Sequence, residues 1–304
     1  MDIKILFSQM TELFIIMFLG YAIFKFKIVD DNFVKNFSKL ILDVTLPAMI
    51  LSSVLNLDER PMLRDVLTAF AVSGVLFFIV LPVIGILLAR LFRVKKEHNG
   101  LYIFMHTYSN IGFMGFPVIE AILGPVALFY AAIFNLMFNV SVFSLGVGLV
   151  SKKTRFSAKV LLTPGIIVAA LSVILYFLNI RLPELIHSTV SSVGSITSPA
   201  AMLIVGFTLA KMDLSSVFSD WRIYPWSIIK QLLIPLILFV PFSMIINDET
   251  LLAVAFILSA MPVGNNAVLF ATRYDCDSEL ATRAVFITLI ISLITLPLCT
   301  ALVF

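Results

Sequence analysis

The amino-acid sequence predicts an all-α integral membrane fold: ten transmembrane helices forming two five-helix inverted repeats, with helices four and nine broken at their middles. Three observations carry this expectation: an apolar composition, ten apolar runs of membrane length, and the recurrence of the same helix-breaking residues half a chain apart. Of 304 residues, 61% are hydrophobic and 13% charged, with a mean hydropathy of +1.08, whereas a soluble domain is about 45–50% apolar.

A helix needs about 20 apolar residues to cross a hydrocarbon core about 30 Å thick. Runs of that kind lie at roughly 5–26, 35–55, 66–92, 101–122, 126–150, 164–180, 185–210, 223–246, 250–271 and 280–304. The first carries Asp2, Lys4 and Glu12 and has no small-residue cleavage site after it, so it reads as a retained span and not a removed signal. Orientation follows Lys and Arg in short loops. One side of a ten-span arrangement collects sixteen of the twenty-one, against four (Lys4, Arg60, Arg64 and Arg181) on the other. The first side is therefore expected to be cytoplasmic and both termini outside, in the plasma membrane. Lys230 is the remainder, within span eight. The two cysteines, Cys276 and Cys299, suggest neither a disulfide framework nor a metal site, and the charged loops are too short to bind nucleic acid.

Halving the chain exposes a weak repeat. Pro47 and Pro199 differ by 152, Pro82 and Pro235 by 153, and Asn110 and Asn265 by 155. Residues 1–150 then form a first five-helix repeat, 151–163 a short cytoplasmic connection and 164–304 the second repeat. Five spans are an odd number, so the second copy enters the membrane from the opposite side.

The punctuation itself is Ser109-Asn110-Ile111-Gly112-Phe113-Met114-Gly115-Phe116-Pro117 in span four and Met261-Pro262-Val263-Gly264-Asn265-Asn266 in span nine. Free backbone amides and carbonyls cannot face lipid, so a break at depth survives only where protein or a wet cavity satisfies it. Asn110 stands about 13 Å into span four at 1.5 Å per residue, near mid-membrane. Half-helix N-termini with free amides favour an anion, most naturally a carboxylate. Gly112 and Gly264 admit close approach, and Asn110, Asn265 and Asn266 offer donors and acceptors together. Ser109, Pro117 and Pro262 complete the expected substrate-binding set. The bland alternative is that these residues only tie two kinked helices together.

Ionisable residues at depth are costly and so point to function. Asp43 lies four residues before Pro47, and its repeat counterpart is Ser195; the pair is read as a wall of the solute or coupling-ion site, against the alternative of an Asp packing a helix bend. Glu120 is a candidate proton sensor or cation partner. Lys230 is read either as a counter-charge to Asp43, Glu120 or substrate, or as a side chain reaching the cytoplasm. Asp65, at the start of span three, is a further charged candidate, and His106 is expected to be a hydrogen-bonded packing residue.

The span-four motif resembles the fourth-span signature of the auxin efflux carrier family. The stretch from Met261 through Arg273-Tyr274 to Thr295-Leu296-Pro297 resembles that family's C-terminal signature, and Asp43-Val44-Thr45-Leu46-Pro47-Ala48 its second span. The resemblance implies an elevator carrier of organic anions, with a scaffold of spans one, two, six and seven and a transport domain of spans three to five and eight to ten, as a homodimer through the scaffold. Asp65 would match an acidic support residue of the auxin exporters. Plant auxin exporters carry Pro before the fourth-span Asn, where this chain has Ser109, and Pro-Gln-Gly in span nine, where it has Pro262-Val263-Gly264-Asn265. The pattern is closer to prokaryotic members associated with malate, malonate and similar carboxylates.

The expectation is a secondary transporter of small mono- or dicarboxylates by alternating access, with the acid bound where spans four and nine cross. An exporter of auxin-like aromatic acids, an anion channel and a non-transporting sensor are the alternatives. None of the three histidines sits in a metal-binding motif, and no nucleophile–base pair suggests an enzyme. No cofactor is called for. An inside-negative potential favours anion export by about 2.3 kcal/mol per charge per 100 mV, whereas import needs coupling to protons or sodium.

Overall fold

The computed structural model describes residues 3–55, 61–151, 163–178, 183–211 and 221–303. The expected connection at 151–163 lies almost wholly outside these residues, as do Asp2, Arg60, Lys152, Lys153, Arg155, Lys159 and Arg181.

The described residues are helical throughout: α1 (Ile3–Lys25), α2 (Asp31–Leu55), α3 (Leu63–Leu91), α4 (Asn99–Thr107), α5 (Ile111–Leu123), α6 (Val126–Val150), α7 (Pro164–Leu178), α8 (Glu184–Lys211), α9 (Ile223–Ile245), α10 (Glu249–Ala260), α11 (Asn266–Arg273) and α12 (Ser278–Val303). Six of them, α2, α3, α6, α8, α9 and α12, are long and apolar enough to cross a membrane, and α5, α7 and α10 are shorter apolar helices. The two punctuated stretches are interrupted as expected, α4 from α5 and α10 from α11. Large apolar side chains project outward along the helices, among them Ile15 and Leu19 on α1, Leu87 on α3, Ile237 on α9 and Ile294 on α12. In water such surfaces would drive association, and in a bilayer they face hydrocarbon.

Local structure follows the prolines. Proline lacks an N–H and leaves a carbonyl one turn back without its partner. A wide π turn spans Leu76–Val80 just before Pro82, and another spans Ile229–Leu233 just before Pro235, so this irregularity recurs at the 153-residue offset. The released carbonyls are taken up by side chains of other helices: Ser141 Oγ donates to Phe77 O at 3.0 Å, and Cys299 Sγ to Gln231 O at 3.2 Å. A third π turn, Ile41–Thr45, precedes Pro47, and α8 is interrupted at Ile196 ahead of Pro199.

The helices form two compact units. The first takes residues 1–67, 112–136 and 158–211, and the second 68–111, 137–157 and 212–304. In the first, α1 packs along the second half of α8 so closely that a methyl on Gly206 would sit on the carbonyl oxygen of Met17. Small residues permit such contacts, which hold helices together where lipid removes the hydrophobic drive. Val34, Ile41, Ala200, Ile204 and Phe207 form an apolar cluster at one end of this packing. The second half of α2 lies against α7 and the first half of α8. In the second unit, the last turns of α3 pack on α4, α9 on α10, and α11 on α12.

Candidate functional site

In the second unit the two breaks meet backbone to backbone. Ser109 and Val263 form an antiparallel bridge, in which the Asn110 amide donates to Pro262 O at 2.8 Å and the Gly264 amide to Tyr108 O at 3.3 Å. Two more polar groups of the span-nine break are met by side chains. Lys230 Nζ donates to Met261 O at 2.8 Å, and Thr288 Oγ1 accepts from the Val263 amide at 3.0 Å. Pro262 has no amide to satisfy. These groups of the irregular backbone are thus paired within the unit, as an apolar surrounding requires.

Three side chains hold the bridge in place. Lys230 sits in the π turn of α9, and its Nζ also donates to Ser109 Oγ at 2.7 Å, so one side chain touches both breaks. It is 1% exposed and makes no ion pair among the described residues. The reading of Lys230 as a side chain reaching the cytoplasm is therefore corrected: the wide turn points its long stem into the protein. Its neighbour Gln231 donates to Thr288 O at 2.9 Å, linking α9 to the residue of α12 that receives Val263. Tyr108 hydrogen-bonds Ser141 Oγ at 2.9 Å, which ties the span-four break to α6 and, through Ser141, to the released carbonyl in α3.

Ser109, Asn110, Pro262 and Gly264 are brought together by this bridge. Gly264 is required by contact, since a Cβ there would stand 3.1 Å from Ser109 O. Asn265 occupies the position before α11, no side chain caps that helix, and Asn266 is its first residue; both are half-buried. Gly112 and Pro117 belong to the first unit: a Cβ on Gly112 would meet nothing within 4 Å, and Pro117 lies in the first turn of the regular α-helix Phe116–Leu123. His106 is buried, and neither ring nitrogen has a hydrogen-bond partner among the described residues, so the expectation of a hydrogen-bonded packing residue is corrected. Tyr108, Ser141, Gln231 and Thr288 were not singled out by the sequence. Nothing in the sequence marked them.

The first unit carries a cavity of about 240 Å³ lined by Glu120 with Ser52, Ser53, Ser191 and Ser195. Ser198 Oγ donates to Glu120 Oε2, and Ser52 and Ser191 hydrogen-bond at 2.8 Å. Asp43 does not line this cavity. It is exposed, whereas Pro47, four residues on, is buried: a π turn holds more residues than an α turn, and Asp43 lies within one. Ser195 lines the cavity without Asp43, its expected partner. Asp65, half-buried, sits in the first turn of α3, where a carboxylate complements the helix dipole.

A family of membrane transport proteins matches residues 5–300 of the chain. The uncharacterized transporter MJ1031 of Methanocaldococcus jannaschii is 26% identical over 93% of this chain and 94% of its own length. The uncharacterized transporter YfdV of Escherichia coli is 22% identical over 96% and 95%.

Proposed function

The chain belongs to the family of membrane transport proteins, and from that premise we propose that it is a secondary carrier of small carboxylates whose acid binds where the two broken helices cross. It is a multi-pass membrane transporter and not an enzyme, in keeping with its resemblance to the auxin efflux carriers.

One observation carries the choice of an anion: the ammonium of Lys230, buried with Ser109 Oγ and Met261 O as its partners and no counter-charge among the described residues. Burying an unpaired charge is expensive, and a carboxylate arriving at the bridge supplies the missing charge. The start of α11 adds amide donors and the positive end of a helix dipole. Asn110, Asn265 and Asn266 orient the acid, Gly264 leaves room for it, and Pro262 fixes the backbone beside it.

Alternating access by an elevator motion, with spans one, two, six and seven as scaffold, draws support from the grouping of α1, α2, α7 and α8 in one unit and α9 to α12 in the other, while residues 112–136 of spans four and five group with the first of these. The recurrence of π turns ahead of Pro82 and Pro235 supports the two five-helix repeats. The plasma membrane, termini outside, and a homodimer through the scaffold complete the proposal.

The test is current recording on proteoliposomes with malate, malonate, lactate and indole-3-acetate, backed by radiolabel uptake for electroneutral exchange. Transport of one acid by the wild type, lost in Asn110→Ala, supports the reading. Neither current nor uptake for any acid, from folded protein, overturns it in favour of another solute or a sensor. Flux that never saturates would favour a channel.

A further inference from the structure

We propose that the cavity of the first unit is a binding site for a hard monovalent cation of the sodium class, with Glu120 as its charged ligand. All the residues involved belong to that unit. The hydrogen-bonding capacity left in the cavity is almost entirely that of acceptors. Ser53 Oγ donates to Ile50 O at 2.7 Å and Ser195 Oγ to Ser192 O at 2.8 Å. Of Ser52 and Ser191, bonded to each other at 2.8 Å, one spends its proton on the other. A hydroxyl has one proton and two lone pairs, so these side chains turn mainly acceptor oxygens toward the space. Glu120 adds a carboxylate, of which Ser198 occupies one oxygen. No lysine, arginine or histidine is among the residues lining the cavity.

An oxygen-rich cavity with one negative charge and no cation suits a hard cation. A single carboxylate balances one positive charge, and a divalent ion would bring a second that no charged group lining the cavity neutralises. The volume, about 240 Å³, accommodates an ion that keeps part of its hydration, since a water takes about 30 Å³ of liquid. That this cation drives carboxylate uptake rests on the carrier reading above. The binding itself does not.

The experiment is equilibrium binding of radiolabelled sodium to the purified full chain in lipid nanodiscs, with choline maintaining ionic strength. Saturable binding is expected, displaced by unlabelled sodium and not by choline. Glu120→Gln should weaken it more than tenfold, and the double variant Ser53→Ala with Ser195→Ala severalfold, with thermal unfolding confirming that each is folded. Asn110→Ala and Lys230→Met, whose residues lie in the other unit, should bind sodium as the wild type does. Absence of saturable binding by the wild type overturns the site, including the case of a carboxyl that takes up only protons. So does wild-type affinity in folded Glu120→Gln. Sodium binding without transport of any acid would sink the carrier reading and leave the cation site standing.

Discussion

At the scale of single residues, Lys230 and Gly264 do the most to define the crossing. Lys230→Met keeps the apolar stem and removes the charge together with two hydrogen bonds, and Lys230→Arg keeps the charge but replaces a compact ammonium with a planar fork. Initial-rate uptake should be abolished in the first and reduced in the second. Methionine retaining wild-type KM would remove Lys230 from substrate binding. Gly264→Ala places a methyl against Ser109 O, and the bridge must open by a few tenths of an ångström. Affinity for the acid should fall about tenfold, or 1.4 kcal/mol, read as a rise in half-saturation concentration. Asp43→Asn should leave rates and their sodium dependence unchanged, because Asp43 is exposed on a π turn and outside the cavity. The sequence announced Asn110, Gly264 and Pro262 clearly, since an apolar run gains nothing from Asn, Gly or Pro unless its helix is broken there. It misjudged Asp43 and Lys230 for a shared reason: depth along a helix is legible from residue count, but the direction of a side chain depends on turn width, and π turns carry no composition of their own.

At the scale of elements, the broken helices are stabilised from outside themselves. Thr288 receives the Val263 amide, and a buried donor left unmade costs about 1–3 kcal/mol. Thr288→Val, which preserves shape and removes the acceptor, should therefore lower the unfolding midpoint and weaken acid binding in the same variant. An unchanged midpoint would mean that the break finds another partner. Ser141→Ala should be more damaging than a typical helix serine substitution, because Ser141 serves both Tyr108 and the Phe77 carbonyl released near Pro82. The helices were legible as apolar runs and their interruptions as punctuation. Which side chains close the interruptions was not, because Ser141, Thr288 and Cys299 lie far along the chain from the groups they meet, and polar residues inside apolar helices look alike in sequence.

At the scale of the whole molecule, the lysine and arginine asymmetry predicts sidedness, which vesicles of known orientation can test. In a background of Cys276→Ser and Cys299→Ser, with serine at 299 keeping a donor for Gln231 O, a cysteine introduced at Lys96 should react with a membrane-impermeant thiol reagent only from the cytoplasmic face. One introduced at Asn247 should react only from the outside. Labelling of both from the same face would overturn the even span count and the orientation with it. The grouping of helices into two units was not legible, since apolar periodicity says that a helix is buried on one face without saying which neighbour buries it.

The Ser109–Val263 bridge has a consequence for how such a carrier diversifies. Its hydrogen bonds run between main-chain groups, Asn110 N to Pro262 O and Gly264 N to Tyr108 O, so the bond at Asn110 does not depend on its side chain, while Gly264 alone must stay small. The side chains proposed to meet the solute, those of Asn110, Asn265 and Asn266, can therefore be exchanged without dismantling the joint that presents them. A lineage built on this joint can explore new acids through single substitutions while its architecture stays fixed, and the cost of innovation falls on recognition alone.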